Sequence, residues 1–192
     1  MKRSEEVSAE IERLIPMARS LMEKSGFHAP TLFAYTKGTQ KMMDVDDMLN
    51  RGKRELRHKL LNSDADIHPD KVAKKWREIG DLSKQALAMF LKKQSKEEKW
   101  VGYCFISDAK FGKRDREGQK DMYGEALVIY REIAQEDGNI DKNLDFFPYS
   151  RDIANDDFGE WLDTEEHLED NDFSVDDVEA NPTFQNILSK GD

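Results

Sequence analysis

The chain has 192 residues, with 30 Lys+Arg against 40 Asp+Glu, a formal charge of −10 and a pI near 5.0. That balance opposes direct nucleic-acid binding, which needs a basic surface to neutralise phosphates, and the single Cys104 excludes an internal disulfide framework or a multi-cysteine zinc site. No apolar run approaches the roughly 18 residues that span a bilayer, and MKRSEEVSAE lacks the apolar stretch of a leader, so the expectation is a soluble cytoplasmic protein without cofactor.

From Ser4 to Ser25, Val7, Ile11, Leu14, Ile15, Ala18, Leu21 and Met22 recur at three- and four-residue steps, the stripe of an amphipathic helix stopped by Gly26. Pro16 lies inside the stripe and cannot donate to the carbonyl of Glu12, so one bent helix is expected. Thr31 to Thr36 and Lys41 to Val45 are β-prone runs around Lys37-Gly38-Thr39-Gln40 and read as a hairpin. Helical spacing returns at Met48, Leu49, Leu56 and Leu60, and again from Pro69 to about Gln94, where Val72, Trp76, Ile79, Leu87 and Leu91 form a stripe flanked by lysines. That lysine face is the solvated side of an amphipathic helix.

Trp100 to Ser107 is apolar on both alternating sets, as a central strand should be. Glu125 to Ile133 is a second strand, and Ile140 to Tyr149 a third after the turn Glu136-Asp137-Gly138-Asn139. The hydrophilic stretch from Lys110 to Gly124 reads as a loop. Strands grouped by hairpins point to an α+β two-layer sandwich over residues 1–150, with an antiparallel sheet of about four to five strands packed against two to three helices.

Residues 151–192 read as an acidic appendage: from Asp152 onward there are 14 acidic residues and one base, Lys190. Such a stretch repels itself. Aromatic and aliphatic residues are interleaved with the acids, and Phe158, Trp161, Leu162, Phe173 and Phe184 are candidate contacts to the chain's own domain, to a second copy or to a basic partner.

Single-residue chemistry is sparse. Cys104 sits in the middle of the best strand and reads as a small buried hydrophobe. Asp66, His68 and Asp70 alternate but supply too few ligands for a metal, so no metal site is expected. His68-Pro69-Asp70 resembles the signature tripeptide of J-domain cochaperones. Acidic residues precede it where that family is basic, and helix capping, with Pro69 in the first turn, is the simpler reading. Ser107 and Asp108 follow the central strand, where side chains reach clefts, and with Lys110, Arg114 and Arg116 they form a candidate ligand or anion site.

Pro30-Thr31-Leu32-Phe33, Phe105-Ile106-Ser107-Asp108-Ala109 and Glu125-Ala126-Leu127 together are similar to a group of small uncharacterised prokaryotic and phage proteins, with a P-x-LF hairpin and an F-x-S-[ED]-A strand end. The resemblance covers roughly residues 8–140 and implies a fold, not an activity. Three functional expectations follow. The first is a non-enzymatic adaptor that recognises a basic protein surface. The second is a small-ligand or anion-binding enzyme at the end of strand 100–107. The third is an acidic mimic of nucleic acid that occupies a nucleic-acid-binding protein.

Overall fold

The stripe of residues 4–25 becomes α1 (Arg3–Ser25), continuous through Pro16. It ends where Gly26 takes a φ of +72° and donates its N–H to the Met22 carbonyl at 2.9 Å, a cap that a side chain at that φ would strain. The computed structural model describes residues 3–61, 69–111, 124–152, 157–170 and 184–188. After α1 come β1 (Thr31–Tyr35), β2 (Gln40–Asp44), α2 (Val45–Leu61) and α3 (Pro69–Glu97). β3 (Gly102–Phe111), β4 (Gly124–Ala134), β5 (Ile140–Asp152), β6 (Asp157–Trp161) and α4 (Thr164–Asp170) complete the order.

All strand pairs are antiparallel, in one open sheet ordered β2-β1-β3-β4-β5-β6. The α+β class and the antiparallel sheet are as expected from the sequence. The counts are not, since six strands and four helices replace four to five and two to three. The added strand, Asp-Phe-Gly-Glu-Trp, has no β-branched residue to announce it, and α4 is an acidic helix of 7 residues.

Strand parity splits the core in two. Leu32, Ala34, Tyr103, Phe105, Val128 and Tyr130 point to one face, where they meet Val45 and Leu49 of α2 and Leu87 and Leu91 of α3. Tyr35, Cys104, Ile106, Leu127 and Ile129 point to the other, under Val7, Ile11 and Ala18 of α1. The sheet is therefore covered on both faces, and the expected two layers are three. α1 lies so close on β3 that a Cβ on Gly102 would stand 2.9 Å from Val7 Cγ1, which accounts for a glycine at the start of the central strand.

Two strands run further than their hydrophobicity indicates. β3 continues past Ser107 through Ser-Asp-Ala-Lys-Phe, carried by pairing of Asp108 with Leu127 and of Lys110 with Glu125. β5 passes residue 150 and pairs with β6 across a register shift between Tyr149 and Arg151, so the sheet extends into the segment read as an appendage. The helix expected from Pro69 opens there as α3, since the fixed φ of proline suits a first turn. Asp66 and His68, and the acidic residues before them, lie outside the described residues.

Candidate functional site

The sequence pairs Ser107 with Asp108, but neighbours on a strand face opposite sides. Asp108 shares the face of Cys104 and Ile106, while Ser107, paired with Val128, lies on the face of Tyr103 and Phe105. The expected Ser-Asp constellation is thus divided by the sheet. Lys110 is in β3 with its side chain outside the described part, and Arg114 and Arg116 lie outside it altogether.

Register gathers other partners around Asp108. Glu125 stands opposite Tyr149, and Arg151 follows across the bulge. The Tyr149 hydroxyl is 2.6 Å from Asp108 Oδ1 and 3.0 Å from Glu125 Oε2, two acceptors for one proton. Burial and both carboxylates push the Tyr149 phenol well above its ordinary value, so it stays a donor. Arg151 donates through Nε to Glu125, through Nη2 to Asp108 Oδ2 at 3.3 Å and through Nη1 to the Gly26 carbonyl at 3.1 Å. Both Asp108 oxygens are engaged by internal donors. The cluster cross-links β3, β4 and β5 to the end of α1, and its chemistry is that of a fixed ion pair rather than a general base.

Cys104 is fully buried, and burial pushes its thiol far above the ordinary range, which leaves no thiolate at neutral pH.

The aromatic residues of the acidic segment turn inward. Phe158 and Trp161 have centroids 4.9 Å apart and lie 5.6 and 6.0 Å from Tyr149, and Arg19 of α1 sits 4.6 Å over the Trp161 ring. The indole N–H of Trp161 donates to Glu23 at 2.6 Å, and the Leu162 N–H to the Pro148 carbonyl at 2.9 Å. Phe184 is 1% exposed, 4.9 Å from Phe105, with its carbonyl accepting from the Tyr103 hydroxyl at 2.8 Å. As a partner contact Phe184 is corrected: it is a core residue. Phe173 lies outside the described residues.

One functional group escaped the sequence reading. Glu132, near the end of β4 and wholly buried, accepts from Tyr130 Oη at 2.7 Å, from the Asn186 N–H at 2.5 Å and from the Leu188 N–H at 3.1 Å. It binds the 184–188 segment by its backbone, and Ile187 and Leu188 fill the core beside it. The available signal was the lone acid in Ala-Leu-Val-Ile-Tyr-Arg-Glu-Ile, on the parity of buried Val128 and Tyr130.

With Phe158 and Trp161 half-buried against Tyr149, the exposed side chains described on β6 and α4 are mainly carboxylates. Asp152, Asp157, Glu160, Asp163, Glu165 and Glu166 are all exposed, and residues 152–170 contain no lysine or arginine. β6 is last in the sheet order, so its outer backbone has no strand partner among the described residues. A concavity lies between α1 and the sheet face at β1 and β3. This cleft of about 570 Å³ is bordered by Met17, Leu21, Lys24, His28, Phe33 and Ile106.

No protein-family model, curated protein or solved structure matches this chain. The site is therefore argued from its own chemistry. Among the described residues no group of three or more His, Cys, Asp or Glu is placed to hold a metal, and no helix is long and apolar enough to cross a membrane.

Proposed function

We propose that the protein is a non-enzymatic binding or adaptor protein that recognises a basic protein surface along the β6 and α4 edge. The observation that carries this reading is the line of exposed carboxylates on an unpaired strand edge, with the interleaved aromatics turned into the fold. An extended basic segment adds a strand to such an edge through its backbone and meets acids with its side chains. The saturated bonding of the Asp108 cluster supports binding over catalysis.

Single exposed ion pairs contribute little, so the test removes several together. Residues 158, 161 and 184 are part of the fold, so the full chain is used rather than a truncation. Binding of an alternating Lys-Val peptide is measured for the natural chain and for a variant with Asp157, Glu160, Glu165 and Glu166 changed to Gln or Asn. A control neutralises the exposed acids Asp46, Asp81, Glu136 and Asp141. The edge variant is expected to lose about tenfold in affinity, the control little, and salt near 1 M, where screening acts over about 3 Å, should weaken the natural complex. Equal losses in both variants, or an affinity indifferent to salt, would sink the reading.

A further inference from the structure

The cleft beside α1 is independent of that edge. Its volume, about 570 Å³, falls inside the range of about 300–1,000 Å³ typical of small-molecule sites. Its walls are mainly apolar: Leu14, Met17, Leu21, Phe33 and Ile106. Met17 and Leu21 are 66% and 49% exposed, although Val7, Ile11, Ala18 and Met22 of the same helix are buried. Met42, opposite Phe33 in the register and 69% exposed, extends the apolar surface onto β2.

Two polar groups border it in a specific way. His28 is 93% buried by its 7% exposure and gives its Nδ1–H to the Ala29 carbonyl at 2.8 Å. A carbonyl only accepts, so that bond fixes the proton on Nδ1 and leaves Nε2 with a lone pair. Nε2 has no hydrogen-bond partner among the described residues. Burial lowers the His28 pKa against the opposing pull of Asp108, which keeps the imidazole neutral and Nε2 an acceptor. Lys24, also on the cleft, is exposed and has no ion pair among the described residues.

One acceptor and one donor beside an apolar hollow match a hydroxyl, which gives one hydrogen bond and receives another. A carboxylate matches less well. It cannot donate to Nε2, it would lie near the negative end of the α1 dipole, and the chain as a whole is at −10. We propose that this cleft binds a neutral apolar molecule through a terminal hydroxyl or phenol, which donates to His28 Nε2 and accepts from Lys24 Nζ.

Three probes with one body and different heads separate the possibilities: 4-butylphenol, butylbenzene and 4-butylbenzoate. Binding to the full chain is followed by NMR of the methionine methyl groups, with the Met17 signal reporting occupancy of the cleft. The phenol is expected to bind about tenfold more tightly than butylbenzene, and the benzoate no more tightly than butylbenzene. His28→Asn retains a donor for the Ala29 carbonyl and deletes the outer acceptor, so the ratio of phenol to butylbenzene affinity should fall to about one. Ser20→Trp, from a position lining the cleft, should abolish binding of all three. Equal affinity for phenol and butylbenzene, tightest binding of the benzoate, or no shift of Met17 by any probe overturns the proposal. The comparison of head groups on the natural chain stands even if a variant fails to fold.

Discussion

At the scale of single residues, His28 links burial to pH. Its folded pKa is lowered from an ordinary value near 6.5, first by burial, with the Ala29 bond and Asp108 acting against it. Below that ordinary value the unfolded chain takes up a proton that the folded chain refuses until the pH reaches the lowered value. Stability associated with His28 is therefore present at neutral pH and lost as pH falls through that window. Chemical denaturation of the natural chain and of His28→Asn, at about pH 7.5 and about pH 5, should show the natural chain losing more stability than the variant. An identical loss would show that His28 does not titrate differently in the two states. Residue-level function was only partly legible in the sequence. Asp108 was legible as a polar residue near the end of an apolar strand, but its partners were not, because Tyr149 and Arg151 lie 41 and 43 residues away and reach it through register alone. Ser107 was misjoined to it because adjacency in sequence is opposition in a strand.

At the scale of elements, the 184–188 segment behaves as a strap held by one carboxylate. Removing the acceptor while keeping bulk, as in Glu132→Leu, leaves the N–H groups of Asn186 and Leu188 and the Tyr130 hydroxyl without their partner. Each buried unsatisfied group costs about 1–3 kcal/mol, so a loss of about 3 kcal/mol is expected in urea denaturation, with faster proteolysis beyond residue 183. Unchanged stability together with unchanged protection would mean that Phe184, Ile187 and Leu188 hold the strap without Glu132. Elements with a clear period were legible: α1, the β1–β2 hairpin, α2 and α3, and the cores of β3, β4 and β5. β6 and the strap were not. Their apolar residues follow no helical or strand period and find their places through Tyr149, Phe105 and Glu132, which local pattern does not encode.

At the scale of the whole molecule, charge is segregated. Residues 1–100 carry 21 bases and 16 acids, and the remainder 9 bases and 24 acids. Ion pairs such as Arg151 with Asp108 and Arg131 with Asp145 join residues of the acidic part to one another and leave its excess of acids in place. The β6 and α4 edge has no lysine or arginine of its own, so its carboxylates repel one another in the folded state. Moderate salt should screen that repulsion and raise the thermal midpoint, read by scanning calorimetry from low to about 0.3 M NaCl. A midpoint that falls would mean that attractive pairs outweigh the repulsion. The sign of the charge asymmetry was legible from composition, whereas the exposure of six carboxylates along β6 and α4 was not, because it depends on Phe158 and Trp161 packing on Tyr149.

The bond between Tyr103 and Phe184 also sets a clock. Eighty-one residues separate them, and the sheet face carrying Tyr103 and Phe105 is sealed only when 184–188 arrives. At about 5–20 residues per second of synthesis, that face waits roughly 4–16 seconds after β3 has emerged. During this interval Phe105 lacks the ring of Phe184 that packs on it in the finished fold, and the Tyr103 hydroxyl lacks its carbonyl partner.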